Sequence, residues 1–372
     1  MLTPTFIWHS DSDQLSALKQ GIKLAQDANS ASVLILACCQ NDYPNWAIDP
    51  FLRTIEIPIF GGAYPQLIFG ESSMSQGVII VGFSHTLSVS NICQLDQKTT
   101  YIEGLELILE NDCNLQSHQN FLMFYDGLSL NSEDFIDSFY DCAGCDVNVI
   151  GGGAGSLDFV QRPCVFSNKG MLVDAMQFVG LPGPLDVGVA HGWEILDGPY
   201  LVTEARGSLT VSINNQPAKD FYQQRVEEIS YSKFFQKDFY DVAKLFPLGI
   251  EGANGEILVR DPIKTVGSGL QCIGNVPVNS MIYILKSDTE SLVAAASIAA
   301  NCLGSVRPSV LVFDCISRFL YMDQGFKQEL AAINATAENS SFVVGALSLG
   351  EVANAGSGAI SLLNKSTAIG RF

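Results

Sequence analysis

Four histidines, ten cysteines and one run of glycines hold most of the reactive potential of this sequence. His191 stands out. It closes a predicted strand between apolar Val189-Ala190 and Gly192-Trp193, so its ring sits beside a small residue with an indole as a wall. His9, His85 and His118 lie in polar or N-terminal stretches that read as surface. The plainer reading of His191 is a core or turn histidine bonded to backbone. Gly151-Gly152-Gly153-Ala154-Gly155 follows another predicted strand. No Gly-Lys-Ser/Thr follows it, and it does not match GxGxxG, so neither a P-loop nor a dinucleotide fold is indicated. Consecutive glycines permit a concave nest of N–H groups suited to a carboxylate. Their alternative is a tight backbone crossing.

Cys142-Ala143-Gly144-Cys145 has the spacing of a metal or redox pair, but no second CxxC or nearby His pair completes four zinc ligands. Cys164 supplies at most a third local thiol, and Cys142 also fits an apolar helix face. Further on, Arg318 follows a predicted buried strand by a few residues, where a guanidinium can clamp a ligand carboxylate. Glu351 follows Leu349-Gly350 and can hold a ligand ammonium or pair with Arg318. Cys315 is a third ligand-facing candidate; as a nucleophile it lacks a local His–Asp arrangement. HExxH, GxSxG and EF-hand patterns are missing, so no catalytic residue is assigned and a non-enzymatic role is expected.

Composition narrows the partners. The 372 residues carry Lys+Arg 20 against Asp+Glu 39, a formal net charge of -19, which opposes nucleic acid and anionic membrane. No basic run offers a local exception. Hydrophobic residues reach 47% and charged ones only 16%, below the roughly 25% of ordinary globular chains, which excludes disorder. So sparse a charge also points to surface covered by a second subunit, as in a homo-oligomer. No apolar stretch attains the roughly 18 residues of a membrane span, and MLTPTFIWHSDSDQL lacks the pattern of a signal peptide. A cytoplasmic protein with reduced thiols is expected.

The elements that must position these residues are short. Ser32–Ala37, Gly77–Val81, Phe121–Tyr125 and Val147–Ile150 read as strands, with helices over Gln14–Asp27 and Ser132–Cys142. After Gly151 the pattern turns antiparallel. Pro217 can open a helix over Ala218–Glu228. Strands then follow at Glu256–Arg260, Met281–Leu285, Val310–Phe313, Phe342–Leu347 and Ala359–Leu363, with a helix over Thr289–Leu303. The mixture predicts an α/β to α+β protein of two packed domains, each with mixed sheets flanked by helices. Residues 1–30 are expected as an extension with a helix, 31–235 as the first domain and 236–372 as the second. Both halves share a strand–helix–strand–Gly order, the trace of a duplication.

The order of several blocks is distinctive: GGGAGSL at 151–157, CVFSNKG at 164–170, DVGVAHGW at 186–193 and VTEARGSLTVSINNQPAKDFY at 202–222. LVFDCISR at 311–318, VVGALSLGEV at 343–352 and LLNKSTAI at 362–369 follow. Together they resemble the paired N- and C-terminal FIST domains, named for F-box and intracellular signal transduction proteins. The resemblance implies a sensory module for a small ligand, with amino acids suggested as the class. Some bacterial single-module members resemble haem-based nitric-oxide sensors that regulate a partner histidine kinase. On that implication His191 is the haem-iron ligand, with Trp193 and the glycines 151–153 beside the macrocycle. The alternative it leaves open is a haem-free amino-acid or organic-acid sensor using Arg318, Glu351 and the glycines. No F-box, kinase or cyclase segment is recognised, so the signal is expected to pass to another polypeptide.

Overall fold

The computed structural model describes residues 2, 4–111, 118–144, 146–230, 238–252, 255–303, 309–336, 342–355 and 358–372. Cys145 and the expected 235/236 boundary lie outside them. The chain has the mixed α+β content its sequence predicts. Its internal order is threefold, where the sequence suggested a duplication.

One unit shows the plan. In the strand Ser32–Cys38 every residue from Val33 on is apolar, and all are buried on both faces as parallel strands are. The helix Asn45–Leu52 carries the chain across to Ile59–Tyr64, which pairs parallel with it, and Val78–Phe83 pairs antiparallel on its other side. Pro4–Ser10 extends the sheet beyond Val78–Phe83, and Leu15–Asp27 covers it, so residues 4–27 are part of this unit and not an extension. Unit two repeats the plan with Ser88–Cys93, Lys98–Asn111, Asn120–Asp126, Ser132–Ala143, Asn148–Ala154 and Ala175–Gly180. Unit three repeats it with Asp186–Ala190, Thr289–Asn301, Ser309–Cys315, the helices Ile316–Met322 and Phe326–Ala335, Phe342–Ser348 and Thr367–Arg371.

The registers coincide. Cys38 faces Tyr64, Asp126 faces Ala154 and Cys315 faces Ser348 across the parallel pairs. Three residues earlier stand Gly61, Gly151 and Gly345. A Cβ there would lie 2.0, 1.9 and 2.0 Å from the carbonyl oxygens of Ile35, Met123 and Val312. Only glycine fits that approach, so the same position demands it in each unit.

Each unit also contributes a hairpin to a neighbour's sheet. Gln66–Phe69 and Ser72–Met74 complete the sheet of unit three, Val165–Ser167 and Gly170–Leu172 that of unit one, and Glu351–Ala355 and Ala359–Leu363 that of unit two. The exchange covers every parallel strand that would otherwise be an edge. The three inner faces meet in one core, where Phe124 lies 5.9 Å from both Phe60 and Phe313 between ring centres. Helices cover the outer faces through Leu18 and Ile22, Phe135 and Phe139, and Leu292 and Phe326.

Unit three is interrupted after its first strand. The described residues between 194 and 286 form an antiparallel barrel whose ring runs Glu194–Arg206, Met281–Lys286, Leu248–Glu251, Ile257–Val266, Gly269–Ile273 and Leu209–Ile213, back to the first. The helix Ala218–Ser230 packs on it. Buried Arg260 ties the barrel to unit two through Glu133 and to the exchanged hairpin through the Leu362 carbonyl at 3.1 Å.

Candidate functional site

Between the barrel and unit three opens a cleft of about 740 Å³, within the few hundred to one thousand Å³ typical of ligand sites. Its walls are mostly apolar: Val189, Ala190, Ile257, Leu258, Ala294 and Ile298. His191 lines it with Glu256, Ser291, Ser361 and Ser366. The imidazole is set by local backbone, since Nδ1 accepts the N–H of Trp193 at 2.9 Å. Burial, and then the Arg318 guanidinium, hold its pKa down to about 4, so the ring is neutral near pH 7. A neutral ring that accepts at Nδ1 carries its proton on Nε2. Among the described residues no protein group accepts that proton, which leaves His191 as a hydrogen-bond donor available to a ligand.

Behind His191 lies Arg318, fully buried. Its Nε and Nη2 donate to Glu329 Oε1 at 3.0 and 2.7 Å, its Nη1 to the carbonyls of His191 and Lys365 at 2.6 and 3.2 Å, and its Nη2 also to Leu292 O at 3.0 Å. Asp314 Oδ1 stands 3.3 Å away. Burial, then Glu329, push the Asp314 carboxyl well above the usual carboxylate range.

A second polar cluster sits where the strands Ser309–Cys315 and Phe342–Ser348 end against the barrel. Lys365 Nζ pairs with Asp261 Oδ1 at 3.3 Å and donates to Lys244 O at 3.0 Å. Ser317 Oγ donates to Asp261 Oδ2 at 2.5 Å, and Tyr240 is hydrogen-bonded to Ser317 at 2.6 Å. Glu351 accepts from Ser348 Oγ at 2.8 Å. Burial raises its pKa to about 8, so it too is largely neutral at pH 7. Cys315, buried beside it, is kept a thiol by burial and then by Glu351.

Residues 56–216 match the FIST N domain and residues 218–354 the FIST C domain. The chain belongs to the FIST family. No curated protein matches it. FIST domains are sensory domains for small ligands in signal transduction, so the coarse reading of the sequence stands.

This FIST chain does not assemble its expected site residues in one place. His191 lines the cleft. Trp193 packs away from it, with its indole N–H donating to Lys365 O at 3.2 Å and its ring 5.2 Å from that of Tyr321. Gly151, Gly152 and Gly153 lie inside the strand Asn148–Ala154 and are buried, so they form no nest. Cβ atoms there would strike Met123 O, the Phe313 ring and Leu349 O. Arg318 cannot clamp a carboxylate, because carbonyls and Glu329 take its donors, and its carboxylate partners are Glu329 and Asp314 where Glu351 was expected. Cys142 is exposed, and among the described residues no cluster of His, Cys, Asp and Glu has the arrangement of a metal site. Haem does not fit His191 as it stands either: Nδ1 is taken by a backbone N–H and Nε2 is protonated, so the ring offers iron no lone pair. Sequence reasoning missed Lys365, Asp261, Ser317 and Tyr240. The signal for Lys365 was a lone cation in the apolar run LLNKSTAIG.

Proposed function

We propose that this FIST chain is a ligand-sensing component that takes a small, uncharged, largely apolar molecule into the cleft beside His191. One observation carries the reading: a neutral histidine with an unclaimed Nε2–H stands in an apolar cleft between two packed bodies. A carbonyl or ether oxygen of the ligand would accept that proton. An organic acid is a weaker match, because the charged side chain among the residues lining the cleft is Glu256. Closure of the barrel on unit three around the ligand would change the surface offered to a cytoplasmic signalling partner, such as a histidine kinase.

The test is a thermal-shift screen of neutral metabolites, followed by titration of each hit. Binding should weaken about tenfold in His191→Phe, the loss of one hydrogen bond, and less in His191→Gln, which keeps a donor. Hits indifferent to both variants would remove the cleft as the sensing site. Haem added in parallel should give no stoichiometric Soret band that depends on His191. A band abolished in His191→Ala would restore the haem and nitric-oxide reading. Autophosphorylation of a candidate histidine kinase, compared between ligand-free and loaded protein, tests the partner; equal activity and no pull-down reject it.

A further inference from the structure

The polar cluster around Lys365 encloses a second cavity that the cleft does not explain. It is small, about 20 Å³, the space of a single water-sized group. Tyr240, Asp261, Cys315, Ser317, Ser348 and Asn364 line it. Asn364 is 1% exposed, and its amide Nδ2 donates to Leu363 O at 2.8 Å. That bond fixes the amide orientation and leaves Oδ1 buried with no hydrogen-bond partner. Asp261, 2% exposed, is similar: Lys365 contacts its Oδ1 as an ion pair, yet no hydrogen bond is formed there. Ser317 spends its proton on Asp261 Oδ2. Both unmet capacities are therefore acceptors. Buried acceptors without donors are rare enough to ask for a ligand.

A larger cavity of about 200 Å³ adjoins the small one, and the two share Phe159, Ile263, Ile273 and Leu349 as walls. Phe159 holds φ 54°, a left-handed conformation that a bulky side chain seldom adopts. It sits in the segment joining Asn148–Ala154 to Val165–Ser167, outside both strands. The combined space has a polar end of acceptors and an apolar body.

We propose that this space is a second binding site, specific for a short-chain primary carboxamide whose N–H₂ group reaches Asn364 Oδ1 and Asp261 Oδ1 while its alkyl tail lies against Ile263, Ile273 and Leu349, with Phe159 as the gate. An amide matches better than an ammonium, because Lys365 already balances the Asp261 charge. A carboxylate would bring acceptors to acceptors. The site lies at the carboxyl ends of parallel strands, where α/β sheets commonly take ligands, and it is independent of the cleft beside His191.

Propionamide is the probe, titrated into the full chain by ligand-observed NMR alongside propionate, propylammonium and N,N-dimethylpropionamide. Saturable binding of propionamide alone, weakened about tenfold in Asn364→Leu and unchanged in His191→Phe, is the expected result. Phe159→Gly should speed exchange and not abolish binding. Equal binding of the dimethyl analogue, preference for propylammonium or propionate, or indifference to Asn364→Leu would overturn the proposal. Absence of saturable binding in both wild type and Phe159→Gly would do so as well. Should Asn364→Leu fail to fold, the analogue series in the wild-type chain decides alone. Failure here leaves the His191 cleft untouched, since that reading is tested by other ligands and another variant.

Discussion

Units two and three place different chemistry on one backbone plan. At the end of its parallel pair, unit two has Asp126, whose Oδ1 accepts from Leu128 N at 3.0 Å and whose Oδ2 accepts from Asp174 N and Gln161 Nε2, both at 2.8 Å. Asp174 in turn accepts from Ser129 Oγ at 2.5 Å and from Asp96 N at 3.1 Å. Every oxygen there has a partner. The matching positions in unit three are Cys315 and Lys365, and around them Asp261, Asn364, Asp314 and Glu329 each keep a buried oxygen without a hydrogen bond. One strand end closes on itself as a brace. The other, covered by the barrel, keeps polar capacity that the protein alone does not use.

The largest effect should come from Arg318. Replacement by Met strands the Asp314–Glu329 pair and three carbonyls, so stability should fall by about 3–5 kcal/mol in denaturant unfolding. A loss below about 1 kcal/mol would mean that unit three is braced elsewhere.

Next comes acid. His191 binds its proton less readily folded than unfolded, so folding favours the neutral ring: its contribution is complete above about pH 6.5 and is lost as pH falls toward about 4. The span corresponds to about 3 kcal/mol at most. Unit two has Cys93 at the matching place, so a single variant, His191→Gln, should flatten this part of the stability profile. An unchanged acid limb would assign it to other groups.

A smaller loss is expected for Asp126→Asn. It keeps one acceptor but presents an N–H₂ to donors, costing about 1–3 kcal/mol. If it equalled Arg318→Met, the contrast between the two strand ends would dissolve.

Much of this was legible in sequence. The runs Ser32–Ala37 and Phe121–Tyr125 became strands because continuous branched and aromatic residues suit burial on both faces. Pro217 does precede the helix Ala218–Ser230, and Asn214 and Asn215 take the left-handed turn conformation. Other features left no such mark. The glycines at 151–153 look like a loop in sequence, and only the approach of the Met123 carbonyl explains why glycine belongs inside that strand. The threefold order rests on register, with little residue identity beyond Gly61, Gly151 and Gly345, and the barrel interrupts the third copy. Arg318 read as ligand-facing because its distance along the chain from Glu329 and His191 hides their contact.

The exchanged hairpins have a consequence for how the chain reaches its native state. Unit one cannot complete its sheet until residues 165–172 exist, and unit two must wait for 351–363. The hairpin of unit one, at 66–74, has no docking strand until Phe342–Ser348 leaves the ribosome. No unit is therefore a self-sufficient folding intermediate during synthesis, and ring closure spans nearly the whole length of the chain. Such non-local pairing is slow, because loop-closure entropy is lost before the contacts form. Until the last strands arrive, the nascent protein carries exposed parallel-strand edges of the kind that chaperones shield.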